Sequence, residues 1–136
     1  MNTGWVYRTS DPLTALHRRQ EFMDYLRSMG SPDGDYDAAA LAYGELVANV
    51  LRHAPGPIEI VLEWENEDAV LHIIDHGNGF ICTPVLPAEP LAETGRGLFL
   101  VRQLTKNLTV FRHDERGAEV RVVLPIRRKR AAHGVA

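Results

Sequence analysis

The sequence predicts an α+β fold, a two-layer α/β sandwich in which helices cover one face of a mixed, mostly antiparallel sheet. Apolar residues recur at helical spacing in three segments, and period-two alternation marks two pairs of strands. The helices and the antiparallel hairpins are segregated along the chain, which is typical of this class. The length of 136 residues corresponds to one domain.

Start and stop signals bound the first two predicted helices. Ser10-Asp11-Pro12 supplies a capping side chain and then a proline in the first turn. Glycine and proline at 30–34 stop this helix. A second helix runs from about Asp37 to Ala54, and Pro55-Gly56-Pro57 ends it.

The rest of the chain is predicted to form two hairpins around a third helix. Ile58 to Glu65 pairs with Ala69 to Asp75, and Leu108 to His113 pairs with Ala118 to Leu124. The helix between the hairpins begins near Gly97. Earlier in the chain, Trp5 and Tyr7 mark either an edge strand or core packing.

Composition excludes several function classes. With 15 Lys+Arg against 18 Asp+Glu, the formal net charge of -3 argues against charge-driven nucleic-acid binding. Cys82 is the only cysteine, and no apolar run is long enough to span a membrane. We therefore expect a cytoplasmic protein with a domain at 1–126 and a basic, disordered tail at 127–136.

A first polar cluster lies on the second predicted helix. Glu45, Asn49 and Arg52 occupy positions i, i+4 and i+7 and share one stripe, with His53 at its edge. A carboxylate and an amide oxygen on one face suit hydrated Mg²⁺ and the activation of a water or hydroxyl. The alternative interpretation is a solvated helix face.

A second cluster follows the second predicted strand. Asp75 ends an apolar run, where a buried carboxylate is costly unless it is hydrogen-bonded, and a purine amino group is a suitable donor. Gly77 and Gly79 allow a ligand to approach the backbone closely. A tight turn capped by aspartate is the alternative.

A third cluster precedes the third predicted helix. Gly95 and Gly97 flank Arg96, so backbone N–H groups at a helix N-terminus and a guanidinium converge on a site for phosphate. The spacing matches neither the dinucleotide fingerprint nor a P-loop, and a simple glycine-rich helix start is the alternative.

Taken in order, the three clusters resemble the N, G1 and G2 boxes of the GHKL ATPase family, over about residues 37–125. The resemblance implies the Bergerat-type sandwich, ATP with Mg²⁺, and an ATP lid at 81–94. By this resemblance, Asn49 coordinates Mg²⁺, Asp75 binds the adenine amino group, and Glu45 is the general base. The implied nucleotide-binding residues are Asn49, Arg52, His53, Asp75, Gly77, Gly79, Thr94, Gly95, Arg96, Gly97 and Leu98.

Within that family, the chain resembles the bacterial anti-sigma factor serine kinases. Its motifs Glu-Leu-x-x-Asn-x-x-x-His-Ala and Gly-Arg-Gly-Leu-x-Leu-Val carry this resemblance, and the leading segment is too short for a sensor kinase's dimerising helices. The implied partners are a sigma factor and a small antagonist protein, with a homodimer through the N-terminal edge. Two rivals are a non-catalytic, nucleotide-gated binding module and a detached histidine-kinase catalytic domain.

Ala118 departs from the pattern of the GHKL family, and the histidines show no pattern of metal ligands. Ala118 follows Gly117 where many relatives have threonine, whose hydroxyl helps to hold the adenine. The six histidines are scattered with no metal-ligand spacing, so we expect no zinc site.

Overall fold

An antiparallel sheet forms one layer of the computed structural model, which describes residues 2–53, 56–76, 93–113 and 117–130. The sheet has five strands in the order β1-β2-β3-β5-β4, and all neighbouring pairs are antiparallel. The strands are β1 (Asn2–Thr9), β2 (Ile58–Glu65), β3 (Asp68–Asp75), β4 (Lys106–His113) and β5 (Gly117–Arg127). We expected a mixed sheet, but the described strands contain no parallel pair. Each hairpin is antiparallel, and β1 also pairs with β2 in the antiparallel direction.

Helices form the second layer. They are α1 (Pro12–His17), α2 (Arg19–Met29), α3 (Tyr36–His53) and α4 (Glu93–Leu104). The α3 helix packs on α1, α2, α4 and β5, which makes it the centre of this layer. None of the helices in the described ranges is long and apolar enough to cross a membrane.

The core lies between the two layers because the strands alternate between buried and half-buried residues. On β2, Ile58, Ile60, Leu62 and Trp64 are buried, and the residues between them are half-buried. The buried residues belong to the same core as the helices, in which Tyr43 of α3 contacts Phe22 of α2. One face of the sheet is thus covered by helices, as the sequence predicted.

The first predicted helix is divided in two. Asp11 caps α1 by accepting a hydrogen bond from the Leu13 N–H, as the start signal indicated. At Arg18 the backbone N–H donates to the Ala15 carbonyl over 3.1 Å, and the chain starts a new helix at Arg19. The apolar spacing continues across this break, so periodicity alone did not reveal it.

Both interpretations of the segment around Trp5 and Tyr7, an edge strand and core packing, are confirmed. It forms the edge strand β1, which pairs with β2. Both aromatic rings also pack against the core, and the Trp5 ring lies 5.3 Å from that of Phe22. The strand therefore extends the sheet and closes one side of the core.

The C-terminal boundary differs from the expected one. Strand β5 extends to Arg127, and the Lys129 N–H donates to the Met29 carbonyl over 2.9 Å. Residues 127–129 therefore pack against the domain, because the Arg127 carbonyl accepts from the Ser31 N–H and the Arg128 N–H donates to the Glu67 carbonyl as well. Residues 131–136 lie outside the described part of the chain.

Candidate functional site

The stripe on α3 runs from the core to the surface. Asn49 is buried, with 5% of its surface exposed, Glu45 is half-buried and Arg52 is exposed. His53 is the last residue of α3, and its side chain is outside the described part of the structure. Glu45 and Asn49 thus lie near the border between the apolar core and the surface.

Asp75 ends strand β3 with none of its surface exposed. It pairs with Ile58 on one side and Ala118 on the other, so apolar neighbours flank it across the sheet. Burial of a carboxylate in this setting is costly unless polar groups compensate it. Ala118 is also fully buried, and it lies directly beside Asp75 because the two residues pair across β3 and β5.

Polar residues are rare in the core. Among the described residues, two polar or charged side chains are buried, and they are Asn49 and Asp75. Both were singled out from the sequence, one in each of two separate motifs. Asp75 lies on the helix-covered face of the sheet, and Asn49 lies on α3, one of the helices that cover it. A binding site between the two layers requires polar residues from both.

Glu45 and Gly97 bring the first and third motifs together. A Cβ added at Gly97 would overlap Oε1 of Glu45, so the glycine creates the space that this carboxylate occupies. The absence of a side chain at Gly97 lets α3 and α4 approach closely. A carboxylate on α3 is consequently held next to the N-terminal part of α4.

The α4 helix begins four residues earlier than the sequence predicted. It starts at Glu93, so Thr94, Gly95 and Arg96 lie in its first turn instead of in a loop before it. The first backbone N–H groups of a helix have no partner within the helix and favour an anion. The side chain of Leu98 is buried in the apolar core, and as the sixth residue of α4 it lies past the turn whose N–H groups lack helical partners.

Part of the predicted site lies outside the described residues. This applies to Gly77, to Gly79 and to most of the segment 81–94 expected to form the lid. The side chain of Arg96 is likewise outside what the structure describes. Predictions for these positions rest on the sequence alone.

The described residues fit the ligands that the motifs imply. Asn49 and Glu45 provide oxygen donors, the ligand type that Mg²⁺ prefers. Asp75 provides a buried acceptor for an amino group, and Gly97 makes room for the Glu45 carboxylate beside α4. The donor set therefore suits a magnesium nucleotide.

A second polar cluster was not found from the sequence. It lies on the opposite face of the sheet and consists of Glu63, Glu65, His72 and Glu119. The residues come from three strands, so no linear spacing connects them. Strand alternation offered one signal, because Glu63 and Glu65 are two residues apart and must share the face away from the helices.

The sequence matches the family model of the histidine kinase-like ATPase domain over residues 10–124, well over half of the chain. This range contains all three polar motifs. Comparison with individually curated proteins gives no significant match. The family model and the arrangement of Asn49, Asp75 and Gly97 agree, and the chain belongs to the histidine kinase-like ATPase family.

Proposed function

We propose that this protein is an ATP-dependent protein serine/threonine kinase of the anti-sigma factor type. It binds ATP with Mg²⁺, transfers the γ-phosphate to a serine of an antagonist protein, and regulates a sigma factor by switching partners. One observation carries the proposal: the two polar side chains buried in the described core are Asn49 and Asp75. A core built only for packing would place apolar residues at both positions.

Asp75 is proposed to recognise the adenine. Its carboxylate accepts a hydrogen bond from the exocyclic amino group, and its burial strengthens that bond by excluding water. The neighbouring Ala118 supplies no hydroxyl, so the base is held with one contact fewer than in relatives that have threonine there.

The phosphates are proposed to lie between α3 and the N-terminus of α4. Asn49 holds Mg²⁺, and the first N–H groups of α4 together with Arg96 bind phosphate oxygens. Bound Mg²⁺ offsets the negative charge that builds up during transfer.

Glu45 is proposed as the general base because its carboxylate lies beside Gly97, close to that phosphate site. It accepts the proton of the serine hydroxyl while a bond forms from the serine oxygen to the γ-phosphorus. The bond from the γ-phosphorus to the bridging oxygen breaks, and ADP leaves with that oxygen. The products are phosphoserine, ADP and the proton held by Glu45.

The partners and the setting remain part of this proposal. A sigma factor and a serine-bearing antagonist are the protein partners, and the setting is the cytoplasm. Strand β1 stands at one end of the sheet order, so its outer edge is available for pairing with a second copy.

The test is phosphate transfer from radiolabelled ATP to a candidate antagonist, with wild type and Glu45→Ala. A general base contributes about 10²–10⁴-fold to such rates. We expect transfer to fall by about this factor in Glu45→Ala while the stabilisation by nucleotide is kept. Asp37→Asn, an exposed carboxylate at the other end of α3, is the matched control and keeps the wild-type rate.

The product separates this proposal from its rivals. Acid-stable phosphoserine is expected, whereas an acid-labile product would identify a detached histidine-kinase catalytic domain. Partner binding that depends on nucleotide, with no phosphate transferred, would identify a non-catalytic binding module. Loss of nucleotide binding in Glu45→Ala would contradict the role given to Glu45.

A further inference from the structure

The open face of the sheet carries a compact group of potential metal ligands, which we call the open-face cluster: Glu63, Glu65, His72 and Glu119. Glu63 and Glu65 lie on β2 and His72 lies on the adjacent β3. One ligand atom from each of these three lies within 4.8 Å of the others. All three residues are half-buried, so the ligand atoms are partly shielded from water.

His72 is fixed by contacts at both ring nitrogens. Its Nδ1 lies 2.6 Å from Oε2 of Glu119, and its Nε2 lies 3.0 Å from Oε1 of Glu63. A carboxylate on one ring nitrogen orients the other toward a metal in many metal sites. Glu119 holds the imidazole in this way, with Nε2 directed at Glu63 of β2.

Contrary to the expectation from the spacing of the histidines, we propose that Glu63, Glu65 and His72 bind a divalent transition-metal ion of the Zn²⁺ class, with Glu119 positioning the imidazole. Donor atoms bound to tetrahedral Zn²⁺ at about 2.0–2.2 Å are about 3.3 Å from one another. The distance of 3.0 Å between Nε2 of His72 and Oε1 of Glu63 is close to that value. Three ligands leave a coordination position toward the face that no described helix covers.

Two groups compete with a metal ion at this site. Arg121 donates to Oε1 of Glu65 and neutralises part of the negative charge. Burial lowers the pKa of His72, but hydrogen bonds and charges from Glu119 and Glu63 outweigh it and raise that pKa above its ordinary value. Metal binding requires the neutral imidazole, so a raised pKa favours the competing proton, and binding is best measured at alkaline pH.

The ligand set distinguishes this site from the nucleotide site. Imidazole with carboxylates favours Zn²⁺ and its neighbours, whereas Mg²⁺ prefers oxygen donors and water. His72 faces away from the helices, while Asp75 on the same strand is buried beneath them. The inference therefore does not depend on the proposed kinase activity, and failure of either leaves the other standing.

The experiment is titration of the full chain with Zn²⁺ alone at pH 8, by calorimetry or competition with a chromogenic chelator. We expect equimolar binding by wild type and no binding at this site in His72→Ala. Loss of an orienting carboxylate lowers metal affinity by about 10–100-fold, the expected result for Glu119→Gln. Glu63→Gln, which preserves shape and the β2 backbone, is expected to lose at least as much.

Controls make each outcome decisive. His17→Ala removes an exposed imidazole far from the cluster in sequence and should bind as wild type does. Circular dichroism of each variant excludes unfolding as the cause of lost binding. The proposal is overturned if wild type does not bind Zn²⁺, if the three cluster variants bind it as tightly as wild type does, or if Mg²⁺ binds to the cluster as tightly as Zn²⁺.

Discussion

The two faces of the sheet differ in how many charged side chains they carry and in what those side chains contact. On the face beneath the helices, the strands present apolar side chains, and Asp75 is the charged residue buried there. On the open face, charged residues are common and contact one another, as Arg8 does with Glu59 over 3.0 Å. Burying a polar group on the covered face costs free energy unless the group is hydrogen-bonded. On the open face, water and charged neighbours compensate a polar group, so its desolvation costs little.

This difference separates signals for function from background. A buried carboxylate is rare enough to indicate a site, and Asp75 coincides with a motif found independently in the sequence. On the open face, a charged residue alone carries no such information. On that face, a site is indicated only by several side chains in a defined geometry. His72, with a carboxylate at each ring nitrogen, is such a case.

The largest expected effect compares two neighbours on β2. Leu62 is fully buried beneath the helices, and Val61 points to the open face. Leu62→Ala should lower the free energy of unfolding by about 2–5 kcal/mol, because it leaves a cavity. Val61→Ala should cost about 1 kcal/mol or less, since it loses only cross-strand contacts. Urea denaturation measures both, and equal losses would show that the open face is covered.

The next effect compares the two aspartates that bound β3. Nucleotide at about 100 times its dissociation constant should stabilise wild type by about 2.7 kcal/mol, a rise of several degrees in Tm. Asp75→Asn should abolish most of this rise, because a neutral amide oxygen accepts more weakly than a carboxylate and the second oxygen is replaced by an NH2 donor. Asp68→Asn, at the half-buried end that pairs with Arg127, should keep it. Thermal melting with Mg-ATP and Mg-ADP gives the answer.

These melting curves also show whether the protein still folds without ligand. If Asp75→Asn melts normally alone and retains the full rise with nucleotide, adenine recognition by Asp75 is excluded. If Asp68→Asn loses the rise as well, the effect belongs to the whole strand and not to the site.

The smallest effect concerns the ion pair between Arg8 and Glu59 on the open face. The Arg8 side chain is largely exposed, so replacing it by methionine should cost less than about 1 kcal/mol. The difference should vanish in about 1 M NaCl, where charges are screened beyond roughly 3 Å. Denaturation at low and high salt measures it, and a larger loss independent of salt would mean that Arg8 contributes packing instead.

Local patterns predicted most of the elements. Strand β2 spans Ile58–Glu65 as expected, and Asp11 caps the first helix. These features depend on residues close together in the chain, through alternation, turn chemistry and capping. The break at Arg18 and the early start of α4 escaped prediction, because apolar spacing and glycine content are compatible with either a continuous or an interrupted helix.

For the site, the chain order of the three motifs was enough to identify the family and to select Asn49 and Asp75. Their burial, and the fit of Glu45 into the space left by Gly97, depend on how α3 and α4 pack, which no local pattern encodes. The open-face cluster depends most strongly on the tertiary structure. His72 meets Glu63 and Glu119 only because strand register aligns residues nine and 47 positions apart, and register is a property of the assembled sheet.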